Sequence, residues 1–287
     1  MIKDLINKLL DIDLVKKLVE LKRPNFIILY YHRVIEDNIF DLDMGPNIHL
    51  CVKKSEFEKQ MSYIAKNYNL ISLEDLYKNN FKCKQFSVAV TFDDGYKDNI
   101  EVAYPILKKN NIPATIYLVS RNIIAKPWAW WIELWNFIKK NEKIMNGDKT
   151  IDIKKINNKK KCFFDLKEKI KKLKYDDQIN FFNTLTLNKV RENHENLYLN
   201  IEDLKKIEKE KLITLGCHTH DHLCFSYFDK EIIEKQISRC KEIIEEKLKI
   251  SVEHFAYPYG SKKDINFFEH NILEKLKFKT AVTTLET

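Results

Sequence analysis

Only five glycines and six prolines occur in this 287-residue chain, so each one punctuates it. No two of the six cysteines, at 51, 83, 162, 217, 224 and 240, form a C-x-x-C pair. That excludes a zinc ribbon and a thioredoxin-type motif. In a chain this long they read as free thiols of a reducing compartment. No apolar run approaches the ~20 residues of a membrane-spanning helix. The opening MIKDLINKLLDIDLVKKLVELK has charges in every apolar stretch and no small-residue cleavage site, which excludes a signal peptide. A cytoplasmic protein is expected. Residues 1–24 read instead as an N-terminal amphipathic helix, with Leu5, Leu9, Ile12 and Val15 at turn spacing. Core packing or a subunit contact is its expected use. The flanking lysines also allow peripheral contact with a membrane.

Hydrophobic residues make up 44% of the chain, enough for a large core. The net charge of +8 reflects a bias toward lysine and is read as solubility. No nucleic-acid-binding motif accompanies it, so no nucleic-acid partner is expected. The sequence leaves the oligomeric state open.

Strand and helix patterns alternate. NFIILYYHRV (25–34), NLISL (69–73), SVAVTF (87–92), PATIYLVS (113–120), LITLGC (212–217), HFAYP (254–258) and KTAVTT (279–284) read as strands. Ser55 is placed as a helix cap, with Phe57, Met61 and Ile64 on one face. Residues 121–208 break the rhythm. They open on the aromatic PWAWWIELWNF and continue lysine-rich and helical, which predicts a helical insertion rather than a separate domain. Alternation of this kind predicts an α/β fold: a single domain over 25–287, built as a closed or nearly closed (β/α) barrel with a parallel sheet. In such barrels chemistry sits on the loops after the strands.

Three polar clusters fall there. Asp93-Asp94-Gly95 follows one strand, His218-Thr219-His220-Asp221-His222 another, and Tyr257-Pro258-Tyr259-Gly260 a third. If the second loop turns helically, His218 and His222 share a face. Two imidazoles and a carboxylate make a divalent-metal set, and Asp94 could supply the carboxylate. Side chains alternate along a strand, so Asp93 and Asp94 can do two jobs, one on the metal and one as a base toward water. Taken singly, D-D-G is often a turn and a histidine-rich loop is often solvated. Their joint occurrence after strands favours the metal.

TFDDGY (91–96), HTHDH (218–222) and FAYPYG (255–260) resemble, in order and spacing, the leading motifs of the polysaccharide deacetylases, carbohydrate esterase family 4. LYYHRV (29–34) and the tryptophan-rich WAWWIELW (128–135) extend the likeness, toward the branch of bacterial surface-polysaccharide gene sets. The resemblance implies a distorted (β/α)7 barrel and removal of an N- or O-acetyl group from a saccharide. It implies one divalent ion, zinc first and cobalt or nickel as alternatives. It implies Asp93 as base, Asp94, His218 and His222 as metal ligands, and the backbone N–H of Tyr259 as an oxyanion donor. Thr219 resembles the residue that orients the histidine loop. Tyr96, Thr219, His220, Pro258 and Trp130 are the expected substrate contacts.

Two departures stand out. EHFAYPYG carries no arginine to hold the base, and no L-x-x-H follows the last strand to supply a general acid. His32, at the end of the first strand, is the candidate acid, whereas His270 reads as a helix-face residue. Three alternatives follow: a deformylase or amidase acting on a lipid- or nucleotide-linked sugar, a saccharide-binding protein with weak or lost turnover, and, from charge alone, a nucleic-acid binder.

Overall fold

A computed structural model describes residues 25–40, 42–146, 149–187, 194–266 and 268–285. The expected helix over 1–24, with its membrane or subunit contact, lies outside the described residues.

The strands are β1 (Phe26–Tyr31), β2 (Arg33–Ile35), β3 (Cys51–Lys53), β4 (Asn69–Leu70), β5 (Ser87–Phe92), β6 (Ala114–Leu118), β7 (Lys143–Asn146), β8 (Lys149–Asp152), β9 (Ile213–Cys217), β10 (His254–Ala256) and β11 (Thr280–Val282). The helices are α1 (Lys54–Asn67), α2 (Leu73–Lys78), α3 (Tyr104–Lys109), α4 (Arg121–Ile124), α5 (Trp130–Lys140), α6 (Ile156–Ile170), α7 (Tyr175–Thr186), α8 (Ile201–Ile207), α9 (Lys230–Leu248) and α10 (Glu269–Lys275).

Seven strands form one parallel sheet in the order β1-β5-β6-β9-β10-β11, with β4 paired to the first residues of β5. Every residue of β5 and β6 is buried, which explains their unbroken apolar runs. The path ends at β1 and β11, and no pairing joins the two among the described residues. The sheet is therefore a curled parallel half-barrel, the open form of the closed or nearly closed barrel that the rhythm suggested.

Other local expectations are corrected. The first strand stops at Tyr31, and Arg33–Ile35 swing away to pair with β3 in a separate two-stranded sheet. Helix α1 starts at Lys54, ahead of Ser55, whose hydroxyl donates to Asp37 at 2.5 Å instead of capping. The buried face of α1 is the expected one: Phe57, Met61 and Ile64. Pro105 is accommodated where the π-helical turn Asn99–Ala103 passes directly into α3, so its missing N–H falls at the change of hydrogen-bond register.

The insertion between β6 and β9 is not wholly helical. An antiparallel hairpin, β7–β8, joins α5 to α6. The insertion carries its own apolar cluster, including Leu134, Trp135, Ile138, Phe163, Leu166 and Phe182. It packs against the 3-10 segment Leu42–Leu50. Gly45 makes this contact possible: at φ 82 and ψ −161 its backbone is open to glycine alone, and a Cβ there would stand 2.5 Å from the Trp135 ring.

Candidate metal and catalytic centre

The three motif loops follow β5, β9 and β10, all at one end of the parallel sheet. Ligands of open parallel sheets bind outside this carboxyl end. The backbone there is unusual. Asp94, Thr219, His222 and Tyr259 all have positive φ, between 55° and 73°, although none is glycine. Left-handed backbone at such residues is strained and concentrates at functional sites. It also revises two expectations. The histidine loop is not helical: its two left-handed residues, rather than helical spacing, aim His218 and His222 alike. Asp93 and Asp94 diverge because Asp94 turns left-handed after β5 has ended at Phe92, not by strand alternation.

The convergence is tight. The Asp94 Oδ1 atom lies 3.5 Å from His218 Nε2 and 3.3 Å from His222 Nε2. One donor atom from each of the three falls within 4.8 Å of the others. Ligands about 2.1 Å from a common tetrahedral centre stand about 3.4 Å apart, so this spacing suits a divalent ion. Protonation suits it too. Ala256 O can only accept, so His218 Nδ1 donates to it at 2.9 Å and leaves Nε2 a free lone pair toward Asp94. Burial lowers the His218 pKa to about 4, with His222 adding to the effect and Asp94 opposing it. Burial, helped by Lys167, lowers that of His222 to about 4. Both rings are thus neutral at pH 7, the form a metal ligand requires.

Asp93 is 8% exposed, and its Oδ1 has no hydrogen-bond partner. Burial first, and the Asp94 charge second, push its pKa well above the ordinary carboxylate value. Among the described residues, no arginine is paired with Asp93. The cationic candidate beside Asp93 is His32, whose Nε2 lies 4.0 Å from Asp93 Oδ2.

These groups open into a cavity of about 470 Å³. Tyr30, His32, Asp93, Asp94, Tyr96, His218, His222, Tyr257 and Tyr259 line it from the sheet side. Trp128, Trp130, Trp131, Lys171, Tyr175 and Tyr198 line it from the insertion side. Tyr96 stacks on Tyr198 at 5.1 Å, and Trp131 meets both edge-on. The tryptophans divide as helical spacing would have them only in part: Trp135 enters the insertion core, while Trp131 faces the cavity.

Of the expected substrate contacts, Tyr96 and Trp130 line the cavity, and Thr219, His220 and Pro258 do not. Thr219 is fully buried, with its hydroxyl lacking a partner. His220 Nδ1 is engaged by Ser120 Oγ at 2.8 Å and its Nε2 lies 3.8 Å from Asp221, so the ring is neither solvated nor on the substrate side. Pro258 is buried, its carbonyl accepting from Gly260 N at 2.7 Å. Sequence reading missed Tyr175, Tyr198, Lys171, Arg121 and Asp264, all in the lining. Four come from the insertion, whose local pattern signals only helix; Asp264 lies just past the third motif.

Comparison with known proteins agrees with the geometry. A family model described as polysaccharide deacetylase matches residues 81–281 and spans all three motif loops. The Bacillus subtilis protein YxkH is 34% identical over 100 residues, 33% of this chain and 32% of that one. A poly-beta-1,6-N-acetyl-D-glucosamine N-deacetylase of Staphylococcus aureus is 33% identical over 122 residues, 39% of this chain and 42% of the relative. The matches thus span about a third to two fifths of these relatives' length. In fold, a Streptococcus pyogenes deacetylase solved in complex with acetate superposes with a TM-score of 0.58 at 19% identity, covering 91% of this chain and 84% of its own. Matched from β5 to β11 by the family model, with the aspartate pair and both histidines inside that span, the chain belongs to the polysaccharide deacetylase family.

Proposed function

We propose that this protein is a metal-dependent hydrolase that removes the acetyl group from an N-acetylated saccharide, in the building of cell-surface polysaccharide. One observation carries the reading: donor atoms of Asp94, His218 and His222 converge within 4.8 Å beside the buried Asp93, whose Oδ1 has no hydrogen-bond partner, in the lining of an aromatic cavity. Asp94, His218 and His222 would hold the divalent ion, zinc by the His2Asp donor set, with cobalt or nickel as substitutes. Such an ion supplies Lewis acidity toward a carbonyl oxygen and toward water. Asp93, its pKa raised by burial, takes the proton from water as general base. The Tyr259 N–H, held in a left-handed turn, serves the oxyanion. His32 returns a proton to the leaving amine; its 4.0 Å approach to Asp93 supports this. Trp130 and Trp131 supply aromatic surface in the lining for a sugar ring, with the stacked Tyr96–Tyr198 pair behind Trp131. The substrate in the name of the S. aureus relative supports an N-acetylglucosamine-containing glycan.

Metal analysis combined with acid release from a panel of N-acetylated saccharides tests the proposal. Bound divalent ion and free acetate are expected. Formate from N-formyl sugars, without acetate, would move the protein to the deformylase reading. Tight saccharide binding with no acid released under zinc, cobalt or nickel would overturn the hydrolase.

A further inference from the structure

Two cations of the insertion reach across to the motif side, and each also lies over an aromatic ring. Lys171, at the C-terminal end of α6, sets its ammonium 4.4 Å from the centre of the Tyr259 ring. Arg121, at the start of α4, sets its guanidinium 3.9 Å from the centre of the Tyr175 ring on α7. Each cation is also tied to a carboxylate of a motif segment. Lys171 Nζ donates to Asp264 Oδ1 at 2.6 Å, both groups being buried. Arg121 Nε donates to Asp221 Oδ1, within the histidine loop.

The carboxylates are hubs. Asp264 accepts from the Ser261 hydroxyl at its other oxygen, and its backbone carbonyl accepts from Ser226 N at 3.2 Å, so it joins the third motif loop to the chain after the second. Asp221 Oδ2 accepts from Gln236 Nε2 at 2.7 Å, and its N–H donates to Gln236 Oε1 at 2.8 Å, which ties the histidine loop to α9. Tyr259 in turn packs its ring 4.9 Å from that of His222, which lies 4.9 Å from that of His218. A continuous path of contacts therefore runs from α6 through Lys171 and Tyr259 to two of the proposed metal ligands. The strained, left-handed backbone of His222 and Tyr259 needs such support to persist.

We infer that Lys171 and Arg121 are positioning residues: the insertion holds the proposed metal centre in its ligating geometry through a Lys171–Asp264–Tyr259 clasp on one side and an Arg121–Asp221–Tyr175 clasp on the other. This rests on the metal reading given above. Groups that orient ligands are worth roughly 10- to 100-fold in metal affinity.

The test compares Zn2+ affinity, by competition with a chromophoric chelator, in the wild type, K171M, K171R and Y175L, with melting curves of each. K171M is expected to bind Zn2+ about tenfold more weakly. K171R, which keeps a cation for Tyr259 and a donor for Asp264, is expected to bind Zn2+ more tightly than K171M, and Y175L to weaken binding on its own should K171M not fold. At saturating Zn2+ the kcat/KM of K171M should recover, which a substrate-binding lysine would not allow. Unchanged affinity in K171M and Y175L, alongside lowered melting temperatures, would overturn the inference and leave the clasps as ordinary packing. Failure of the wild type itself to bind a divalent ion would instead sink the metal reading, and this inference with it.

Discussion

The sheet side of the cavity and the insertion side are built by different physical means. On the sheet side, three short loops carry Asp94, Thr219, His222 and Tyr259 in left-handed backbone. On the insertion side, α5, α6 and α7 present Trp130, Trp131, Lys171 and Tyr175 from regular helical backbone over a separate apolar cluster. The contrast teaches what each task requires. Aligning three donor atoms demands backbone that only dense surrounding contacts can hold. Offering flat faces to a sugar demands surface, which ordinary helix packing supplies.

Substitutions can separate the two sides. The largest effect is expected from Asp94→Ala or His218→Ala: bound metal is lost and acid release falls to background, as metal analysis beside an acetate assay would record. Asp93→Asn should keep the metal and lower kcat by about 10²- to 10⁴-fold, the range for a general base; full activity in this variant would remove Asp93 from the mechanism. Gly45→Ala strikes the seam rather than either side. It forces a Cβ against Trp135 in a glycine-only conformation, and should cost about 3–5 kcal/mol in denaturant unfolding.

A smaller effect concerns pH. Glu269 is fully buried, and one of its carboxylate oxygens has no partner. Burial, opposed by the hydrogen bond from Asn266 N, raises its pKa from 4.5 to about 7. The folded state therefore holds a proton that the unfolded state has released between these values. The contribution of Glu269 to stability should fall as pH rises from about 4.5 to about 7 and level off above, against the opposite contribution of His218 and His222, whose lowered pKa values favour the folded state as pH rises. Glu269→Gln should flatten that fall, by about 2–3 kcal/mol at most. Unfolding midpoints of wild type and variant at pH 5 and pH 8 would show it; a difference between the two proteins that does not change with pH would refute the assignment.

Much of the centre was legible in the chain. VAVTF announced a buried parallel strand, so the acids after it had to stand at a sheet's end. HTHDH supplied two imidazoles after another strand. Their partnership with Asp94 followed from the chemistry of donor sets. The aim of those side chains was not legible, because positive φ at Asp94, His222 and Tyr259 is imposed by surroundings and no residue type there demands it. His220 shows the cost of reading locally: placed at the substrate by its neighbours in sequence, it is turned away by Ser120, a hundred residues earlier.

The sequence by itself determined the alternation of strands and helices, the order of the motifs and the ligand types, since these depend on local periodicity and side-chain chemistry. Tertiary structure decided that the sheet stays open between β1 and β11, that a hairpin interrupts the insertion, and which aromatic rings reach the cavity. Strand closure and cross-seam contacts such as that between Lys171 and Asp264, 93 residues apart, depend on how distant segments pack together, and that leaves no local pattern to read.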